Sequence, residues 1–371
     1  MSLGSCASPR PDLEWYRKAA KQKLSEWRAT GETRRLAEAQ LAVARGHGFS
    51  SWRALKTAVD AAEASFFFAA IREHKRNEVE RLLARRPALA SAKTTQGESA
   101  LHVAAEANAP PIVTLLLSHG ASTRARYGAS AHTALSWALT TGAMAAAAAL
   151  VDGGVEPDLF CAAGLGDVER VRAFFDTDGA VRASPSRTGS SRFDAGGHRL
   201  PAPPERPREI VSDALYMASR NGQVDAVRFL LTCDVDVNFR AFLDGTPLHW
   251  AYYSGSRDTI ALLQQVGADP TLRDREYRCT PRAFGVCVTA SWGLVRLLER
   301  ALAVDASLLN VLEGRGTPLH EAARAGQVGT AHVLIAAGAD PAVCDADGHT
   351  PLDLAECHQH ASTIALLRAA R

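Results

Sequence analysis

The seven residues "GTPLHWA" at 245–251 return as "GTPLHEA" at 316–322, and related phrases occur elsewhere in the chain. Aligned on the threonine or serine that opens them, the phrases start at these positions: Ser99, Thr133, Thr246, Thr280, Thr317 and Thr350. The step is 34 residues in the first run, and 34, 37 and 33 residues in the second. A phrase repeated at this period predicts an array of similar structural units rather than a single catalytic loop.

Each phrase has the chemistry of a helix start, because a threonine hydroxyl caps free backbone amides and proline suits the first helical turn. A glycine follows at Gly222, Gly255 and Gly326, where it supplies the left-handed conformation that ends a helix. A second apolar cluster with helical spacing comes next, as in "TIALLQQVGADP" at 259–270. The pattern predicts helix-turn-helix units separated by extended fingers, with adjacent units completing each other's core.

The fixed order of T-P-L-H, A-A, L-L and G-A-D-P resembles the ankyrin repeat, and the resemblance covers residues 64–371. It implies an all-α ankyrin-repeat solenoid of about nine helix-turn-helix units with β-hairpin-like fingers. It also implies that His102, His249 and His320 are structural residues, which bridge neighbouring units through hydrogen bonds.

The unit that begins at Thr280 departs most from this pattern. Gly285 replaces an alanine, and Thr289 stands where the glycine that ends the first helix is expected. The step from this unit to the next is 37 residues, and we expect the additional residues in "LAVDASLLN" at 302–310. That segment is similar to "RRPALASA" at 85–92, so the same helix-ending turn is predicted at both places.

The N-terminal part has a different pattern. Residues 1–11 are predicted to be disordered, and 12–63 to form three short helices that cap the exposed apolar side of the first repeat. Ser50 or Ser51 is the expected N-cap of the third helix. The stretch "ARGHGFSSWRALK" at 44–56 resembles a leader found before ankyrin arrays in bacterial proteins, which suggests a bacterial-type protein.

An insertion divides the repeats into two blocks, 64–184 and 212–371. The equivalent positions Pro157 and Asp213 are 56 residues apart, and the excess falls in a segment rich in proline, glycine and arginine. Residues 185–211 are therefore predicted to form an inserted loop. Because ankyrin fingers border the concave groove of the array, this loop is expected to hang over that groove.

Composition narrows the classes of function. The 42 basic and 40 acidic residues nearly balance, which argues against nucleic acid or an anionic membrane as a partner. The longest strongly apolar run, 143–151, is far shorter than the roughly 20 residues that a spanning helix needs. We expect a cytoplasmic monomer, and no known metal, cofactor or catalytic motif is present in the sequence.

Candidate binding residues follow from the resemblance, because partners of ankyrin proteins usually touch the fingers and the ends of the first helices. Tyrosine and arginine also supply much of the binding energy at interfaces. The helix-end candidates are Arg220, Tyr253 and Arg324. The finger candidates are Arg240, Phe242, Arg273, Arg275 and Tyr277, and the loop adds Arg192 and Arg199. Trp250, next to a repeat histidine, is expected to pack in the core.

Two functions remain open at this stage. The first is a non-catalytic scaffold or adaptor that binds a protein partner, for which the arginines of the loop favour an acidic one. The second is a small-molecule-binding protein or an enzyme, such as an isomerase, cyclase or hydrolase, whose groove is roofed by residues 185–207. An anionic small molecule would suit that site, with His198, Asp194, Tyr253 and Arg220 as the candidate catalytic residues.

Overall fold

The structure, a computed structural model, describes residues 12–128, 131–182 and 206–370. These residues divide between two compact units, Met1–Ala125 and Arg126–Arg371. Helices are the regular elements of the described chain. Its fingers contain isolated antiparallel β-bridges, such as Lys93 to Ser99 and Phe175 to Val181, in keeping with the β-hairpin-like fingers that we expected. The predicted disordered segment 1–11 and most of the inserted loop lie outside the described residues.

The first unit contains six helices and one short 3₁₀ helix, Pro87–Ser91. The helices are α1 Leu13–Ala29, α2 Leu36–Gly46, α3 Trp52–Arg72, α4 Arg76–Arg85, α5 Ala100–Glu106 and α6 Pro110–Ser118. The hydroxyl of Ser51 caps α3 by accepting a hydrogen bond from the amide of Ala54, as the sequence predicts. Since α3 continues without a break through residue 63, the third helix of the N-terminal segment is also the first helix of the first repeat.

The second unit contains fourteen described helices. They are α7 Ala134–Thr141, α8 Met144–Asp152, α9 Leu159–Leu165, α10 Val168–Arg172, α11 Pro207–Arg220, α12 Val224–Leu230, α13 Pro247–Ser254, α14 Arg257–Gln265, α15 Pro281–Ser291, α16 Val295–Val304, α17 Pro318–Arg324, α18 Val328–Ala336, α19 Pro351–Cys357 and α20 Ala361–Ala369. This unit also contains two 3₁₀ helices, Phe242–Asp244 and Ala306–Asn310. Each odd-numbered helix packs on the next odd-numbered one, so the first helices of the repeats form a continuous row in this unit.

Nine helix pairs are present in the described chain, two in the first unit and seven in the second. This count agrees with the all-α ankyrin-repeat solenoid predicted from the sequence. The described end of the insertion differs from the prediction. Residues 207–211 belong to the first turns of α11, because Pro207 occupies the start of a helix that extends to Arg220. At fourteen residues, α11 is about twice as long as α13 or α17.

Two of the repeat histidines, His249 and His320, hold neighbouring repeats together. The amide of Thr246 donates to Nδ1 of His249, so Nε2 carries the proton and donates to the carbonyl of Cys279, 3.3 Å away in the next repeat. His320 makes the same pair of bonds, to Thr317 and to the carbonyl of His349. Both imidazoles are buried, and burial lowers the pKa of His249 from 6.5 to about 3 and also lowers that of His320.

This burial predicts that acid destabilises the second unit. An unfolded His249 takes up a proton below its ordinary pKa of 6.5, whereas the folded imidazole stays neutral down to a pH of about 3. The free energy of unfolding should therefore fall as the pH falls through this range, by about 2 kcal/mol at pH 5 for this side chain. We expect His249→Gln to reduce the difference in unfolding free energy between pH 7 and pH 5 by about this amount. The variant His358→Gln, at an exposed position, should keep the wild-type difference.

Candidate functional site

A cavity of about 460 Å³ opens among the helix ends and fingers of the second unit. Its wall is mainly aromatic, and its polar side chains include one arginine. It is lined by Tyr127, Gly128, His132, Trp137, Thr140, Thr141, Arg220, Phe242, Tyr253, Trp292 and Leu294. A concave, mostly apolar pocket of this size with a few polar groups is typical of a ligand-binding site.

Arg220, the last residue of α11, is the charged residue of this wall and is 4% exposed. Its Nε and Nη2 atoms both donate to the carbonyl oxygen of Thr140 at the end of α7, at 3.0 and 2.5 Å. Helix α9 lies between these two helices in the row and has Gly164 at the equivalent helix-end position. Arg220 therefore bonds past this intervening repeat to the one beyond it.

The space above Gly164 is already filled. A Cβ atom added there would lie 2.7 Å from Cγ of Met217 and 3.3 Å from Cδ1 of Leu139. Alanine favours helix by about 1 kcal/mol over glycine, but overpacking a filled core typically costs about 1–3 kcal/mol. We expect Gly164→Ala to lower the free energy of unfolding by about 1 kcal/mol, measured by denaturant titration. Gly46→Ala, where the added Cβ meets open space, is the control and should be neutral or stabilising.

Three aromatic rings surround the guanidinium group of Arg220. Its Cζ atom lies 4.0 Å from the ring centroid of Trp250, 4.9 Å from that of Tyr253 and 5.7 Å from that of Trp292. A cation over the face of an aromatic ring is stabilised by the negative face of the ring, and more strongly when water is excluded. These rings therefore hold a cation in an otherwise apolar wall.

Trp292 reaches this wall because α15 is about one turn longer than its neighbours in the row, α13 and α17. The cap residue and the stop glycine are nine residues apart in Thr246–Gly255 and in Thr317–Gly326, but thirteen apart in Thr280–Gly293. Thr289 continues the helix instead of ending it, with its hydroxyl donating to the carbonyl of Gly285.

The four additional residues of this repeat thus lie in the first helix, and our placement of them in 302–310 was wrong. A 3₁₀ helix does follow α16 at Ala306–Asn310 and α4 at Pro87–Ser91, as the similarity of the two segments predicts. The sequence contained the correct signal, since Gly293 follows Thr289 by four residues, which is about one turn of helix.

A strained finger positions Phe242 at the rim of the cavity. Leu243 and Asp244 both have positive φ angles, 57° and 62°, which non-glycine residues rarely adopt. Arg240 holds this turn by donating from Nη1 to the carbonyls of Asp244 and Arg273, each at 2.8 Å. The ring of Phe242 is consequently stacked on Trp250, with centroids 6.0 Å apart and planes inclined by 22°.

Three nitrogen donors at or behind this wall have no hydrogen-bond partner. They are Nη1 of Arg220, Nε1 of Trp137 and Nε1 of Trp250, and each is buried. Tyr216, also buried behind the wall, has a pKa raised to about 12 by its burial, so its hydroxyl stays protonated. Among the residues described as lining the cavity there is no carboxylate, so the wall offers unused donors and one positive charge.

The structure brings together three of the residues predicted from the sequence, namely Arg220, Tyr253 and Phe242, at this one cavity.

Of the other candidates, Arg240 and Arg273 donate to backbone carbonyls of the fingers. Tyr277, expected on a finger surface, is instead 3% exposed, and the guanidinium of Arg315 lies 4.7 Å from its ring centroid. Arg275 is exposed, and Arg324 donates to the carbonyl of Arg315, away from the cavity lining. The loop candidates Arg192, Asp194, His198 and Arg199 lie outside the described residues.

Sequence reasoning missed Tyr127, Trp137 and Trp292. Trp137 follows its cap residue Thr133 by four residues, as the fully buried Trp250 follows Thr246, so alignment of the repeats could have paired the two indoles. Trp250 itself packs in the core as expected. Finding Trp292 required recognition of the longer helix α15, described above.

Comparison with known proteins agrees with the repeat architecture. A model of ankyrin repeats in three copies matches residues 66–161 and 206–274, and a second ankyrin-repeat model, of many copies, matches 305–355. Together these matches cover more than half of the chain. The chain belongs to the ankyrin-repeat family.

Several proteins are similar to parts of the ankyrin-repeat region of this chain. Human palmitoyltransferase ZDHHC13 is 30% identical over 185 residues, covering 42% of this chain and 30% of that protein. Mouse ankyrin repeat and SOCS box protein 16 is 37% identical over 115 residues, covering 30% of this chain and 25% of that protein. Palmitoyltransferase AKR1 of Lachancea kluyveri is 43% identical over 63 residues, covering 17% and 8%. The chain thus spans less than a third of each of these relatives.

These relatives are eukaryotic, and the matches to the palmitoyltransferases lie in the ankyrin repeats. Within the described part of the chain, every helix is too short or too polar to cross a membrane.

Proposed function

We propose that this protein is a non-catalytic interaction protein, a scaffold or adaptor, whose second unit binds a protein partner at the helix ends and fingers. The observation that supports this proposal is the convergence of Arg220, Tyr253 and Phe242 on one aromatic surface. Two of them come from helix ends and one from a finger, which are the positions that ankyrin repeats use for recognition. Arginine and aromatic side chains are also those most often found at the energetic centre of an interface.

Charge favours an acidic partner segment. Arg220 brings a positive charge to the cavity, and the described lining contains no carboxylate to oppose it. We propose that Arg192 and Arg199 of the inserted loop add positive charge for the same partner. We also propose, as the sequence suggests, that the protein is cytoplasmic, monomeric and of bacterial type.

Photo-crosslinking tests the proposed surface. The photoreactive amino acid p-benzoylphenylalanine is placed at Phe242 in the full chain, and at Val266 as a matched position, since Val266 is an exposed apolar residue at the end of α14. The proposal predicts that crosslinks to a defined protein form from position 242, are absent from position 266 and are lost when Tyr253 is also replaced by alanine. Equal crosslinking from both positions, or none from position 242, would contradict the proposal.

A second candidate function is binding of a small molecule, and the cavity itself favours it. A half-open cavity of about 460 Å³ is within the range that holds a ligand of drug-like size. An enzyme built on this site would use Tyr253 and Arg220 with His198 and Asp194, and this assignment stays a prediction. Loss of a protein partner on deletion of 185–207 would support the scaffold. A higher melting temperature with a small molecule, without any loss of partner, would support the second candidate.

A further inference from the structure

The guanidinium of Arg220 is a buried cation with an incomplete set of partners. It is 4% exposed; its Nε and Nη2 atoms donate to the single carbonyl of Thr140, and it also hydrogen-bonds to the side chain of the buried Tyr216. Its Nη1 atom is buried without an acceptor, and no acidic residue of the described chain lies within ion-pair distance of it. Buried charges in proteins are normally paired, and because Arg220 lines a cavity, an anionic group bound there would supply the acceptor that Nη1 lacks.

A second donor of the same wall points to a ligand rich in acceptor atoms. Nε1 of Trp137 is also buried without a partner. Trp137 belongs to α7 and lines the same cavity as Arg220. The hydroxyls of Thr140 and Thr141 are already donated to the carbonyls of Ser136 and Trp137. The buried donors without a partner at this wall, Nη1 of Arg220 and Nε1 of Trp137, are both N–H groups, and a carboxylate or phosphate group would match them.

The rest of the lining defines the body of the ligand. Tyr127, Phe242, Tyr253 and Trp292 present rings, and Leu294 adds an aliphatic side chain. Flat apolar groups pack on such rings in offset or edge-to-face arrangements. A cationic ligand such as a methylated ammonium group would also suit aromatic rings, but here Arg220 already occupies the centre of the rings and would repel it.

We propose that this cavity binds an organic acid, with its anionic group paired to Arg220 and its flat apolar body against the aromatic wall. The inference deepens the second candidate function and does not depend on the first. The same chemistry is available from a free small acid and from the C-terminal residue of a polypeptide that ends in an aromatic side chain. One pair of probes represents the free small acid, and a second pair represents the polypeptide C-terminus.

The probes are matched pairs that differ only in charge. The first pair is naphthalene-2-acetate and its neutral amide, and the second is the tripeptide Gly-Gly-Phe and its C-terminal amide. Binding is measured by calorimetry on the full chain and by fluorescence of the tryptophans, three of which lie at or behind the wall. We expect saturable binding of at least one acid, with its amide bound at least about tenfold more weakly.

Variants assign the charge preference to Arg220. Arg220→Gln should bind acid and amide equally. Arg257→Gln removes an arginine that also donates to a backbone carbonyl but is exposed on α14, and it should keep the preference. Phe242→Ala should weaken acid and amide together, which tests the site even if Arg220→Gln does not fold.

Binding of the tripeptide acid alone would identify a polypeptide C-terminus as the source, and binding of the naphthalene acid alone would identify a free small acid. Equal binding of acid and amide by the unmodified chain would overturn the inference. So would the absence of saturable binding for both acids at millimolar concentration, or an acid preference that survives in Arg220→Gln. A failure to find a protein partner would leave these results unaffected.

Discussion

Trp250→Ala is expected to reduce the free energy of unfolding of the second unit by about 3–5 kcal/mol, the range for loss of a fully buried tryptophan. Trp250 is completely buried, and its indole contacts five aromatic rings. Those rings belong to Tyr216, Phe242, Tyr253, Phe284 and Trp292, with centroids 5.1–6.2 Å away. Removing the indole would leave a cavity at the centre of this cluster and take away the ring nearest to Arg220.

Trp250→Phe is the informative control for this prediction. Phenylalanine keeps an aromatic ring at the position and removes Nε1, which has no hydrogen-bond partner in the structure. Since that unmatched donor already costs about 1–3 kcal/mol, its removal should offset part of the lost contact area. We expect the phenylalanine variant to lose about 1 kcal/mol at most, as measured by denaturant unfolding. A loss as large as that of the alanine variant would contradict this prediction.

The fold was predictable because its signals are local and repeated. Thr246, Thr317 and Gly255 each perform one step of a helix start or stop, and the sequence repeats these steps at a nearly constant period. The histidines were assigned from the same repetition, and the bonds of His249 and His320 to the next repeat are as expected. These positions depend on contacts within one repeat or with the next one, and the repetition itself predicts both.

The candidate site was only partly predictable, because its geometry depends on how far apart the repeats place their side chains. Arg220 and Tyr253 were found from their helix-end positions, but the bond from Arg220 to Thr140 crosses a whole repeat. Repeat alignment assigns Arg220 to a helix end, but it does not show that the side chain reaches past one repeat to the next. Tyr277 shows the opposite error, since a finger residue that looked exposed is covered by Arg315.

Gly285 is a departure from the repeat pattern that the structure explains. A Cβ atom added there would lie 2.6 Å from the carbonyl oxygen of Tyr252 and 2.7 Å from its carbon, both in the backbone of α13. Side chains can rotate away from such an overlap, but a helix backbone can move only as a whole. Glycine is thus required at this position by the close approach of α13 and α15, and not by its φ angle.

We therefore expect Gly285→Ala to lower the free energy of unfolding by about 2–3 kcal/mol, although alanine is by itself the better helix former. Gly329→Ala is the matched control, because Gly329 is also within a helix of the second unit and its added Cβ would lie 3.4 Å from Cγ2 of Val295, an ordinary contact. That variant should be neutral or more stable by up to about 1 kcal/mol in the same denaturant titration.

The Gly285 variant should also affect the cavity. Because α15 is followed directly by Trp292, pushing this helix away from α13 moves the indole away from Arg220 and opens the wall. Where the variant remains folded, we expect naphthalene-2-acetate to bind more weakly to it than to Gly329→Ala. Unchanged stability of Gly285→Ala would mean that α13 and α15 lie further apart than the structure shows, and that Trp292 is not held against Arg220 by this contact.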